Sequence, residues 1–393
     1  MLRQREWFAA RRLTGIRKVE VIFLQNAHVV SQCFQTSVFL ILIAISSLMI
    51  GCSKHDTLNQ STEVWNAFVG AIKAGDWTKA RGMYTAESRP YFELSRFERR
   101  ALQQSTFSVI KEEQETSYIR LQVLRESDGN QVGNFYYLVD VNGQLRFQYP
   151  FILFATHWSV EKSEHFVYHY APSVDLLYRD SVTGSDAIDT VATEDFIDQF
   201  QGLTGIPVMS RIDYYLCASQ FEVERLSGIK GARWASFGPC IIAERPCEFA
   251  EVATALLRQD DTTMPFLQFG LIGYADLQRA RSCDSTFSSK NLQYTLSEAF
   301  RRLSPDSART IISLQVNDLP YIARQSRVQQ YYVATAVVDG LVQSRGVEKF
   351  QELWEFSHTL ESLEASFRQL YGLSLVEYIL NLRKTFTAAE QGK

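Results

Sequence analysis

The chain has 393 residues, enough for two or three domains. Its composition, 46% hydrophobic and 21% charged, is that of a globular protein and excludes a disordered one. A net charge of -4 leaves no basic excess to neutralise phosphates, which argues against a nucleic-acid partner.

In chain order, the first informative segment is Val38 to Ile50, VFLILIAISSLMI, an uncharged run followed directly by Gly51-Cys52-Ser53-Lys54. A helix that spans a bilayer needs about 20 apolar residues, and this run is too short. Arg3, Arg5, Arg11, Arg12, Arg17 and Lys18 lie upstream of it, as in a secretory signal. Gly then Cys after the apolar core resembles the lipobox of bacterial lipoproteins, with Met49 where Leu is usual. The resemblance implies a signal peptide over 1–51, acylation of Cys52 (palmitate included), and a membrane partner reached through that lipid. Ser53, not being Asp, implies the periplasmic face of an outer membrane if the cell has one. The competing reading is a short anchor that is never cleaved. Cys33 would leave with the signal, and Cys217, Cys240, Cys247 and Cys283 remain as possible disulfide cysteines with three pairings open.

After a polar tether over 52–60, residues 61–155 read as an α+β domain. Val64, Trp65, Phe68, Val69 and Ile72 recur at helical spacing, and Gly75 closes that helix. Asp76 caps a second helix, and Leu94 to Gln103 forms a third. Alternation then begins: Ile119, Leu121 and Val123 share one strand face, and Phe135, Tyr137, Val139 and Val141 share another. Asn142-Gly143 predicts a tight hairpin into Leu145 and Phe147. The element order and the phrase AIKAGDWTKARGMY resemble the cone fold of the SnoaL-like and nuclear-transport-factor superfamily.

Residues 156–393 read as strands and then helices. Strands are expected at His165 to Tyr170, at Ser210 to Cys217 and around Cys240 to Ile242, with a helix over Asp186 to Gln201. Everything after about Pro246 is helical, with Gly346 and Gly372 as stops. This order, with PCEFAEVATALL, FLQFGLIGYAD, YYVATAVVDGLVQSRGVEKFQELW and YGLSLVEYILNLRK, resembles the gluzincin metallopeptidases, above all bacterial peptidase MA-like domains. In that family one helix carries HExxH and a glutamate on the next helix completes a zinc site.

Carried over position by position, the ligands are gone. Cys247 and Glu251 stand where the two histidines belong, Glu248 keeps the place of the general base, and Phe269 replaces the glutamate. A catalytic zinc takes three protein ligands and an open position for water. Phe269 donates nothing, so at most two remain, and Glu248 and Glu251 also suit a solvated helix face. No catalytic residue, metal or cofactor is therefore expected. The fold is α+β, a small helices-plus-antiparallel-sheet domain before a gluzincin-like one. The function expected is a cell-envelope lipoprotein with a degenerate peptidase-like domain that binds an envelope peptide or protein. The alternative is a zinc peptidase with an unusual metal site and Glu248 as base.

The lipid anchor is testable at Cys52. Cells fed labelled palmitate should incorporate it into the native chain, and Cys52→Ser should abolish the label. Label that survives this substitution would sink the lipid-anchor reading.

Overall fold

The computed structural model describes residues 59–127, 130–174, 185–208, 211–244, 249–258, 263–282, 296–301, 303–313 and 324–391. The leader and Cys52 lie outside them. By its internal contacts the chain divides into Met1–Trp65 and Asn66–Lys393, and the two sheets among the described residues belong to the second unit. None of the described helices is long and apolar enough to cross a membrane.

The chain is α+β, as its patterning implies. Helix α1 (59–74) enters the unit at Asn66, and α2 (Trp77–Gly82) follows with Asp76 accepting from the Lys79 N–H at 2.9 Å. Helix α3 (Arg96–Gln104) opens on a reciprocal cap, in which Ser95 and Glu98 each accept the other's backbone N–H. A four-stranded antiparallel sheet comes next: β1 (Thr106–Gln114), β2 (Ile119–Ser127), β3 (Asn130–Val141) and β4 (Gln144–Gln148), in that order. Asn142 and Gly143 both take positive φ, 56° and 80°, as a primed two-residue hairpin demands. The Gly143 N–H is held by the Asp140 carboxylate at 2.6 Å.

Strand β1 departs from the expected pattern, which starts at Ile119. Its residues are nearly all exposed or half-buried, and its register with β2 shifts between Val109 and Lys111. An edge strand with one wet face and a bulge has no clean alternation to read.

A short helix α4 (Pro150–Phe154) leads to a second sheet, and the expected boundary at 155–156 falls between α4 and β5. Its strands are β5 (Ser159–Lys162), β6 (Phe166–Tyr170), β7 (Ile212–Leu216), β8 (Trp234–Phe237) and β9 (Cys240–Ala243), in the order β5-β6-β7-β9-β8. The central three run parallel and the two edges antiparallel. Cys240, Ile241, Ile242 and Ala243 are all buried, because a parallel centre is covered on both faces and its strands read as continuous apolar runs. One face packs on α5 (Ser185–Thr204) and α7 (Phe249–Leu257) through Phe166, Tyr214, Ile241 and Phe249. The stripe Phe249, Val252, Ala253, Leu256 and Leu257 is buried throughout. Helix α6 (Gln220–Ser227) joins β7 to β8.

Beyond α7 the described chain is helical: α8 (Pro265–Ser282), α9 (296–301), α10 (Pro305–Ser313), α11 (Arg324–Arg345), α12 (Val347–Phe356), α13 (Leu360–Tyr371) and α14 (Leu375–Gln391). Gly346 and Gly372 stand at the expected stops, with φ of 86° and 76°.

Among the described residues, three sets of hydrogen bonds join the first sheet and its helices to the second sheet. Ile229 bridges antiparallel to Asn134, with Phe135 N–H donating to Gly228 O at 2.6 Å and Lys230 N–H to Gly133 O at 3.0 Å. A Cβ at Gly228 would lie 2.5 Å from the Phe135 carbonyl oxygen, and φ there is +69°, so only glycine allows that approach. Tyr91 donates to Asp213 at 2.8 Å, and Asp213 also holds His169 at 2.8 Å. The third set is Arg258. Its guanidinium binds both Glu98 oxygens, at 3.1 and 2.8 Å, together with Ser236 O at 2.9 Å, Ser236 Oγ at 3.0 Å and Gly238 O at 3.2 Å. Arg258 is buried, and these bonds engage all three of its nitrogens.

Arg258→Met should therefore cost about 2–4 kcal/mol in urea unfolding, below the full range for a wholly buried pair because Glu98 is partly exposed. A loss under about 1 kcal/mol would mean that the two sheets hold together without this hub.

Candidate functional site

The positions singled out by the resemblance to peptidases divide into two groups. Cys247, Glu248 and Cys283 lie outside the described residues. Glu251 and Phe269 are described. Glu251 corrects one expectation, since it is 5% exposed and not on a solvated face. It accepts a hydrogen bond from the Ser236 hydroxyl at 3.3 Å, so β8 covers the side of α7 that the apolar stripe leaves free. The sequence pattern hid this because β8 is only four residues long, and its burial gives no alternation to read. Phe269 is half-buried on α8 and packs on the main core.

Among the described residues no group of three or more His, Cys, Asp or Glu is placed to hold a metal. Glu251 is bonded to a hydroxyl, and Phe269 carries no donor atom. Two histidines of this region are engaged elsewhere: His165, just before β6, with Glu194 at 2.7 Å, and His169 of β6 with Asp213 while stacked on Tyr215 at 4.2 Å. Near Glu251, Tyr331 donates to Asp276 at 2.6 Å. Burial first, then Asp276 and to a lesser degree Glu251, pushes the Tyr331 phenol far above its ordinary value, so it stays a neutral donor.

The cavity with the most chemistry lies against the first sheet. It encloses about 350 Å³, near the lower end of the roughly 300–1,000 Å³ usual for small-molecule sites. Strand alternation builds its wall. On β2, Ile119, Leu121, Val123 and Arg125 share a face, and on β3 the residues opposite Leu121 and Val123 are Tyr136 and Asn134. Helices α1 and α3 contribute Phe68, Ile72 and Leu102. The chain after α6 and strand β8 close the remaining side with Ile229, Ser236 and Phe237.

An aromatic series continues from this wall into the second sheet. Phe68 meets Phe147 at 4.6 Å, Tyr84 stacks on Tyr149 at 5.1 Å, and Tyr149 stacks on Phe151 at 5.3 Å. Phe151 then meets Tyr215 at 5.2 Å. Burial raises the phenols of Tyr84, Tyr136 and Tyr149, which keeps this wall uncharged. The Glu98 carboxylate, also on the wall, is bound by Arg258. The cavity is thus an apolar chamber with few polar groups, and sequence reasoning missed it. Its signal was the row Ile119, Leu121, Val123, Arg125, whose last member is charged on a face that buries the other three.

The cysteines narrow the disulfide options. Cys217 and Cys240 are buried free thiols. Cys240 pairs in register with Asp213, four residues before Cys217, which is about 13 Å along the strand. A bridge needs Cα atoms within about 7 Å, so these two cannot join each other. Burial pushes both thiols far above the ordinary value, with Asp213 adding to the effect at Cys240. Such thiols are poor nucleophiles. Iodoacetamide should leave both unmodified in the native protein and label both in denaturant without reductant, read by peptide mass spectrometry. Native modification of Cys240, or either residue recovered in a cross-linked peptide, would contradict this.

Compared with models of protein families, with curated proteins and with solved structures, the chain matches none of them.

Proposed function

We propose that this chain is a cell-envelope lipoprotein, tethered through Cys52, whose folded part binds a ligand and does not cleave one. The observation that carries the binding reading is the aromatic cavity beneath the first sheet. A chamber walled by Phe68, Tyr136, Phe147 and Phe237 offers faces and edges for an apolar, planar group. That group is either a small molecule or an apolar side chain of an envelope peptide or protein. The peptidase-like segment then serves as scaffold and cover, since Ser236 and Phe237 of β8 form part of the cavity wall.

The state of the inherited site supports the absence of catalysis. Glu251 stands where a ligand belongs, yet it is buried and bonded to Ser236, and the same Ser236 also receives Arg258. The carboxylate that would face a metal is instead joined to the cavity wall. Cys247 and Glu248 then remain as a thiol and a carboxylate, too few to hold a catalytic zinc. A peptidase using Glu248 as base would need ligands that the described residues do not supply.

The experiment is equilibrium dialysis of the detergent-solubilised full chain against 2-naphthamide, with protein-free detergent as blank. About one probe per chain should be retained, and Ala101→Trp, which adds an indole to the α3 wall, should abolish retention. Retention unaffected by Ala101→Trp would move the binding site elsewhere. Metal analysis of the same preparation, after dialysis against a weak chelator, should find no stoichiometric zinc. Near one zinc per chain, lost on Glu251→Ala, would instead establish the peptidase alternative.

A further inference from the structure

We propose that the ligand of this cavity is a carboxylate with a small planar, apolar body, and that Arg125 recognises its charge. The proposal rests on the cavity being the binding site and deepens that reading by naming the ligand class.

Four observations support it. Arg125 occupies the core face of β2, two residues after Val123, which is 0% exposed. Strand geometry sends residues i and i+2 to the same side, so the guanidinium enters the sheet's buried face by construction and not by a chance rotamer. Its register partners are Phe107 on β1 and Val132 on β3, neither of which can neutralise it. No ion pair is made to Arg125 among the described residues, whereas the neighbouring cation on the wall system, Arg258, is fully committed to Glu98 and two carbonyls.

A guanidinium held on an apolar, half-buried face is costly without an anion, and a bidentate carboxylate is the partner its planar fork fits best. Arg125 is also close enough to Tyr136 to draw that phenol's ionisation downward against the larger effect of burial, which places the positive charge beside the aromatic wall. The chamber therefore offers a charged end and a ring-lined body, and the matching ligand has the same two parts. Among the described residues, Glu93 is the other charge on the lining with no ion pair, and it belongs to the wall near Gly238, its Cβ 3.3 Å from the position a Cβ would take there. It disfavours a second anionic group, so the ligand is a monoanion.

The test compares three probes with the same ring system: 2-naphthoate, 2-naphthamide and 2-naphthylmethylammonium. Each is dialysed against the full chain as native protein, Arg125→Met and Arg125→Lys. Native protein should hold naphthoate about tenfold or more tighter than naphthamide, the scale of one charge-assisted pair. Arg125→Met should erase that preference while leaving naphthamide within about twofold, which also shows that the variant is folded. Arg125→Lys should restore part of it. Equal binding of naphthoate and naphthamide, a preference that survives Arg125→Met, or tighter binding of the ammonium probe through Glu93 would each overturn the role of Arg125 and leave the cavity reading intact. Retention of none of the three would remove both.

Discussion

The fold turns on one side chain, the guanidinium of Arg258. It comes directly after α7 in sequence and is buried among groups drawn from separate parts of the chain: Glu98 of α3, 160 residues away, and the carbonyls of Ser236 and Gly238 at the end of β8. Burying a lone guanidinium in such a place would be prohibitive, so its position requires all of these acceptors at once. Glu98 in turn is fixed by the Ser95 cap, which closes the start of α3. The cation therefore couples the start of a helix beside the first sheet to an edge of the second. Gly238 packs at the same junction against the backbone of Pro90 and Tyr91.

This coupling sets the shape of the cavity. With β8 held by Arg258 and the segment after α6 held by the Gly228 and Lys230 hydrogen bonds to β3, the second sheet supplies a wall that the first cannot make alone. Strand β4 ends at Gln148, and its register covers β3 only from Tyr137 to Val141. The earlier part of β3 would leave N–H and C=O groups open on that side. Ile229 and its neighbours satisfy them at Gly133 and Phe135, so the cavity is closed by backbone pairing and not by side-chain packing alone.

Much of the fold was legible because its signals are local. Asn142-Gly143 has one favoured use between alternating strands, Asp76 is a helix cap by chemistry, and Gly346 and Gly372 end helices whose apolar periods run up to them. The parts that were not legible depend on distant partners. Strand β8 owes its existence to β9 and Arg258, and β1 to β2 alone. The site was hidden for the same reason. Glu251 reads as a solvated carboxylate from helical spacing, and only the arrival of Ser236 from another strand explains its burial. Arg125 was visible as a charge but not as a buried-face charge, because that assignment needs the β2–β3 register.

The helices after α7 are held together by close packing at small residues. Helices α8 and α11 approach so closely that a Cβ at Gly270 would lie 2.8 Å from the Ala334 carbonyl oxygen, and one at Gly273 would collide with the Thr335 side chain. These two glycines, three apart on one face of α8, set the depth of the contact. Phe269 lies next to the first of them and packs into the core formed around it. On the same pair of helices, Tyr331 is bonded to Asp276. Phe269 is half-buried against the apolar core, where a charged side chain would be costly. Packing thus rewards the aromatic ring at this position. Close contact between α8 and α11 is written first in Gly270, Gly273, Ala334 and Thr335, with the Tyr331–Asp276 bond beside them.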